Sequence, residues 1–182
     1  MFIGPQTSMM QLEKLRSHNI TRVLKVNEST RGLYPLHKFG ILLKEVYIED
    51  TPDYNLNWET EVGPCLSFIK EGMDLNLGTL VVCTAGMSRS ATICIAYLMK
   101  HKALSFKEAF DVTKNARPYV NPNPGFLKYL HGLDPQSVSK KVGCELCDLK
   151  RKTQWFDRYT ECSSNMLWNV APSHEFRVIM CD

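Results

Sequence analysis

Cys83 and Arg89 stand six residues apart and enclose the string Thr84-Ala85-Gly86-Met87-Ser88. The cysteine ends a fully apolar run, Leu80-Val81-Val82, and the arginine opens a stretch with helical apolar spacing. A short loop between a strand and a helix N-terminus turns successive backbone N–H groups into one concavity, and the helix dipole adds to their field. That is a seat for a phosphate-sized dianion. The small residues at 84–88, with Gly86 among them, let the backbone close tightly around it. Arg89 supplies a planar fork that matches two phosphate oxygens. A positive field of this kind favours thiolate over thiol, and a thiolate facing phosphorus is a nucleophile for phosphoryl transfer. Ser90, next in the chain, can hydrogen-bond the sulfur when it becomes the leaving group. A single cysteine at a strand end is usually a packed core residue. The whole pattern, C-x5-R-S with glycine at its fourth position, is what argues for chemistry.

Displacing an alkoxide or phenoxide from phosphorus needs a proton donor for the departing oxygen. Three carboxyl groups stand upstream in one short string: Glu49, Asp50 and Asp53. Residue type alone does not choose among them, and such a string also reads as a solvated acidic loop. Asn123 directly precedes Pro124, which is a helix-start signature with Asn at the N-cap and Pro at the first helical position.

A second group of reactive side chains lies near the other end of the chain. Four of the seven cysteines fall there, namely Cys144, Cys147, Cys162 and Cys181. Cys144-Glu-Leu-Cys147 is a C-x2-C knuckle, whose tight turn brings two sulfurs to one side. With Cys162 and His174, or with Cys181 as the fourth ligand, it would make a tetrahedral structural zinc site. The second half of the pattern is irregular, so a metal-free cysteine-rich tail and a redox-active pair remain open alternatives.

The elements that must position these residues alternate. Apolar spacing predicts a helix over 6–17, a strand over Ile20–Val26 and a second over Ile41–Ile48. A helix over 57–73, a buried strand over Thr79–Val82, and helices over 88–101, 105–114 and 124–133 follow. Ser105 and Glu108 have the spacing of a capping box. This order implies an α/β fold: a central twisted, mostly parallel sheet flanked by helices, plus a small Cys-rich C-terminal extension. Composition places a catalytic domain at 1–134, a polar linker at 135–143 and the extension at 144–182, where Trp155, Phe156, Tyr159 and Trp168 could give a small unit a core or dock it on the domain.

The chain has 182 residues, 44% of them hydrophobic and 23% charged, which is globular and excludes disorder, collagen and coiled coil. Twenty-two Lys and Arg stand against nineteen Asp and Glu, and a net charge of +3 argues against broad nucleic-acid binding. The longest apolar run, Ala91 to Met99, is too short to span a membrane and reads as a buried helix. The first residues show neither the basic nor the apolar region of a signal peptide. An odd cysteine count in a chain of this size points to a reducing compartment, cytoplasm or nucleus, rather than to a disulfide framework.

The string Cys83-Thr-Ala-Gly-Met-Ser-Arg-Ser90 resembles the phosphate-binding loop of the cysteine-dependent protein phosphatases, in particular the dual-specificity branch. The resemblance covers about residues 1–133. It includes Phe2-Ile3-Gly4, Asn19 to Leu24, Glu49-Asp50, Ser105 with Glu108-Ala109, Arg117-Pro118 and Asn121 to Phe126, all in the family's order. It implies Cys83 as nucleophile, Arg89 and the loop residues 84–88 as phosphate binders, Ser90 as an aid to sulfur departure and Asp50 as the general acid. Asn123 would support the phosphate loop by hydrogen bonds. The implied reaction hydrolyses phosphotyrosine and phosphoserine/threonine of a phosphoprotein substrate through a phosphocysteine, with no cofactor. The absence of an insertion before the loop implies the shallow pocket of dual-specificity members, and the neutral Thr84, Ala85, Met87 and Ser88 disfavour polyanionic substrates. Some dual-specificity phosphatases carry a C-terminal zinc module. One residue departs from the family: Val82 stands where a histidine normally precedes the nucleophile, which implies a slower enzyme or a shifted pH optimum. The alternatives to an enzyme are a phosphate-binding pseudophosphatase and an adaptor acting through its Cys-rich tail.

Overall fold

The computed structural model describes residues 1–28 and 35–133, together with the backbone of Arg177–Val178. Four strands carry the frame: β1 (Phe2–Pro5), β2 (Ile20–Asn27), β3 (Leu42–Tyr47) and β4 (Gly78–Cys83). The pair Arg177–Val178, β5, lies beside β1, and the strand order is β3-β2-β4-β1-β5. Every pairing is parallel. Five α-helices connect or follow the strands: α1 (Leu12–Ser17), α2 (Gly63–Asp74), α3 (Arg89–His101), α4 (Phe106–Ala116) and α5 (Pro124–Leu133).

Alternation along the strands splits the core in two. On one face Ile3, Leu24, Val26 and Val81 pack against Leu66, Ile69, Ile93, Phe126 and Leu130 of the helices α2, α3 and α5. On the other, Phe2, Val23, Leu80 and Val82 meet Met9, Leu15, Leu36 and Ile41. Helix α3 is buried without a break from Arg89 to Met99, which is why its apolar run is long. Both layers hold β4 between them, so the strand that ends at Cys83 is fixed from two sides.

Four local differences from the sequence reading have physical causes. The first four-residue strand was not expected from its residues: Gly4 and Pro5 are poor strand formers, and its partner β4 makes it a strand. The single helix expected over 6–17 is a 3-10 turn, Gln6–Met10, and a separate α1, broken where Gln11 leaves helical backbone at ψ 64°. The helix expected from Asn57 begins as one wide turn, Trp58–Val62, capped by the Asn57 side chain. It becomes α-helical at Gly63, next to Pro64, which has no N–H for the helical ladder. Residues 177–178, read as part of the extension, run beside β1 in the sheet.

The remaining boundaries lie close to the reading. α5 spans Pro124–Leu133 as expected, and α4 starts after Ser105 with both bonds of the capping box in place. No helix among the described residues is long and apolar enough to cross a membrane.

Candidate active site

The loop from Cys83 to Ser90 sits at the C-terminal ends of the strands, between β4 and α3. Its carbonyls are all turned away from its hollow. Thr84 O accepts from Gln6 N at 3.4 Å, and Met87 O from Asn121 N at 2.9 Å. Ala85 O and Gly86 O accept from the Arg117 guanidinium at 3.1 and 2.8 Å. Ser88 O accepts from Thr92 N at 2.9 Å and from Thr92 Oγ1 at 2.9 Å. A trans peptide points its N–H opposite to its C=O. Outward carbonyls at 84–88 therefore turn the N–H groups of 85–89 inward, to the concavity an anion needs.

Gly86 makes this path possible. Its φ is +67°, and a Cβ there would come within 2.5 Å of the Gly4 carbonyl carbon. Any side chain would push the loop off β1.

Cys83 is 2% exposed, and its Sγ lies 3.2 Å from Ser90 Oγ. Arg89 is 6% exposed at the head of α3. Its Nη2 donates to Thr84 Oγ1 at 3.1 Å, and Nη1 faces Ile48 O at 3.5 Å and Glu28 Oε1 at 3.1 Å. Nε is buried and makes no hydrogen bond among the described residues, although it forms an ion pair with Asp50 Oδ2 at 3.4 Å. A buried donor left unpaired costs about 1–3 kcal/mol. An anion held by the fork would satisfy it.

Asp50 follows β3 and reaches over the loop. Its Oδ1 accepts from Ser88 Oγ at 2.7 Å and from Asn123 Nδ2 at 2.7 Å. Asn123 also caps α5, accepting from Phe126 N at 2.9 Å, and its own N–H donates to Ser88 Oγ at 3.2 Å. The structure thus brings Cys83, Arg89, Ser90, Ser88, Asp50 and Asn123 into one constellation. Asp53 is exposed and Tyr47 Oη donates to Glu49, so neither of the other two carboxyls shares these contacts.

Two contributors were not legible from spacing. Arg117 entered the sequence reading only through the Arg117-Pro118 match of the resemblance, with no role attached; it holds two loop carbonyls and is 7% exposed. Glu28, at the end of β2, was not singled out at all. Val82 is fully buried among apolar residues on the face opposite the helices α2–α5. Cys65 and Cys94 are buried and free. Burial drives the Cys94 thiol far above its ordinary range, which suits a packed residue rather than a reactive one. Among the described residues no group of three or more His, Cys, Asp or Glu could hold a metal ion. Cys144, Cys147, Cys162 and His174 lie outside the described residues.

A family model described as "Dual specificity phosphatase, catalytic domain" matches residues 1–134. The chain belongs to this family. Among curated relatives, dual specificity protein phosphatase 1 of Arabidopsis thaliana is 34% identical over 134 residues, covering 74% of this chain and 65% of that protein. Dual specificity protein phosphatase 19 of Mus musculus is 35% identical over 131 residues, covering 71% of this chain and 57% of that protein. This chain therefore spans somewhat under two thirds of the length of these two relatives. Among solved structures, human DUSP28 has a TM-score of 0.65 at 29% identity, covering 74% of this chain and 87% of that one. DUSP15 has the same TM-score and identity over 76% and 85%. The dual-specificity phosphatase fold is thereby shared, and phosphatases of this family need no cofactor for catalysis.

Proposed function

We propose that this chain is a protein phosphatase that hydrolyses phosphotyrosine and phosphoserine/threonine through a phosphocysteine. The observation that carries the reading is a loop whose carbonyls at 84–88 all face outward around a buried Arg89, whose Nε makes no hydrogen bond among the described residues. The thiolate of Cys83 attacks phosphorus, and the bond from phosphorus to the substrate oxygen breaks. Inward N–H groups and the Nε/Nη2 edge of Arg89 hold the three equatorial oxygens, where charge builds up. Asp50 gives its proton to the departing oxygen. In the second step Asp50 takes a proton from water, water attacks phosphorus, and the sulfur leaves with Ser90 Oγ as its hydrogen-bond donor. Neutral side chains at Thr84, Ala85, Met87 and Ser88 favour a single phosphate on a protein over polyanionic substrates. Among relatives, the MAP kinase phosphatase with leucine-rich repeats protein 3 of Dictyostelium discoideum is 44% identical over 132 residues, although the match covers 15% of that protein. A phosphoprotein substrate agrees with that name.

The test is hydrolysis of aryl phosphates from about pH 5 to 8 without added metal. Cys83→Ser abolishes turnover. Asp50→Asn lowers kcat about 100-fold on phenyl phosphate, within the range of a lost general acid, and less on a nitrophenyl ester, whose oxygen leaves unaided. Equal losses on both esters would remove Asp50 from the acid's role. From its spacing alone we also propose that Cys144, Cys147, Cys162 and His174 hold one structural zinc ion. One equivalent of zinc in the purified chain, lost in Cys144→Ser, is the expected result.

A further inference from the structure

We propose that Glu28 is a positioning residue that ties the acid loop to the phosphate fork. The inference rests on the phosphatase reading above. One oxygen, Glu28 Oε1, accepts the backbone N–H of Asp50 at 3.3 Å and pairs with Arg89 Nη1 at 3.1 Å. Both partners belong to the chemistry: one carries the proton donor, the other the phosphate fork. They are 39 residues apart in sequence, and Glu28 sits at the end of a third element, β2.

The guanidinium geometry gives the contact a direction. A guanidinium binds two phosphate oxygens along one edge. In Arg89 the edge with an orphaned donor is Nε/Nη2. Nη1 lies on the other side, where Ile48 O and Glu28 take it. Glu28 therefore engages the guanidinium away from that edge, which faces Thr84 Oγ1 and Asp50 Oδ2, and fixes the plane in which the edge lies. Its carboxylate is half-exposed while Arg89 is buried. The exposed partner orients the buried one, and holds Asp50 in the same frame.

Plain charge repulsion makes the opposite forecast. A carboxylate near an anion site weakens every anion, so its removal should tighten phosphate and vanadate alike. An orienting contact matters more for the five-coordinate geometry of the transition state than for tetrahedral phosphate. The ratio of the two affinities separates the ideas, because general repulsion cancels in it.

The experiment uses the full chain and its Glu28→Ala and Glu28→Gln variants, measuring dissociation constants for vanadate and inorganic phosphate, kcat and KM on an aryl phosphate, and thermal midpoints. In Glu28→Ala the preference for vanadate over phosphate falls about 10-fold, and kcat falls similarly with KM within about 2-fold. The thermal midpoint stays at the wild-type value. Glu28→Gln, which keeps the accepting oxygen and loses the charge, falls between the two and serves if the alanine variant does not fold. An unchanged vanadate-to-phosphate ratio overturns the role of Glu28, whatever happens to kcat. A wild-type chain that binds the two anions equally overturns the phosphatase reading itself, and the role of Glu28 with it.

Discussion

Asp50 and Asn123 lie 73 residues apart and meet at 2.7 Å, where the Asn123 amide nitrogen donates to Asp50 Oδ1. The same side chain works twice, because its oxygen accepts the N–H of Phe126 in the first turn of α5. Ser88 closes the circuit: its hydroxyl donates to the same Asp50 oxygen and accepts the Asn123 N–H. The acid loop, the centre of the phosphate loop and the start of α5 are thus one hydrogen-bonded ring. A helix cap, which needs only a local oxygen, has been joined to the Asp50 carboxyl by the nitrogen left over.

The two jobs of Asn123 can be separated. Asn123→Ala removes both and should cost about 1 kcal/mol of stability for the lost cap, together with about 10-fold in kcat as Asp50 loses an anchor. Asn123→Ser keeps a capping oxygen but is too short to reach Asp50. It should unfold within a few tenths of a kcal/mol of wild type in urea and still show the kcat loss. A serine variant with wild-type kcat would mean that Asp50 needs no such anchor.

Arg117 braces the phosphate loop from outside. Its Nε and Nη2 hold Gly86 O and Ala85 O, and the guanidinium stands 5.7 Å from the centre of the Tyr119 ring. Lysine brings one compact charge and cannot span two carbonyls in a fixed fork. Arg117→Lys should lose about 1–2 kcal/mol of stability. Its phosphate affinity should drop about 10-fold, because an unheld carbonyl can turn toward the anion it was kept away from. Urea unfolding with and without phosphate measures both. A destabilised variant that binds phosphate as tightly as wild type would make the brace purely structural.

What the sequence revealed followed from how local each signal was. The loop Cys83–Ser90 is eight consecutive residues, and its outline was readable because cysteine, glycine and arginine all lie within them. The start of α4 was readable for the same reason: Ser105 and Glu108 satisfy each other across one turn. Residue type left Asp50 ambiguous among three carboxyls; the family resemblance pointed to it, and the fold puts it against Ser88 and Asn123. Arg117 stood only in a family match that gave it no role, and Glu28 gave no signal, since each acts on a loop that is near only in space, the first 31 residues from Gly86. β1 was missed because its four residues owe their strand to β4 and to no pattern of their own.

Stability in alkali should be limited by two buried cysteines, Cys65 and Cys94, neither of them in the site constellation. Cys65 is fully buried in α2, and burial pushes its thiol from an ordinary 9.0 up to about 12, against a small opposing pull from Lys44. The folded chain then holds a proton that the unfolded chain releases. The sign follows from proton linkage: the contribution is complete below about pH 9 and is lost as pH rises toward 12, at up to about 1.4 kcal/mol per pH unit. Tyr129, raised from 10.0 to about 12 by burial and then by Glu61, adds a loss of the same sign that begins one unit higher. Cys94, whose thiol burial raises even further, carries the same loss over the same window, so between pH 9 and 10 the two buried thiols should act together, ahead of the tyrosine. Urea midpoints measured across that interval should fall for the wild type and fall about half as steeply for Cys65→Ala, in which Cys94 remains, whatever constant stability the lost sulfur costs. Equal slopes in the two proteins would mean that the folded state lets this thiol ionise as freely as the unfolded chain does.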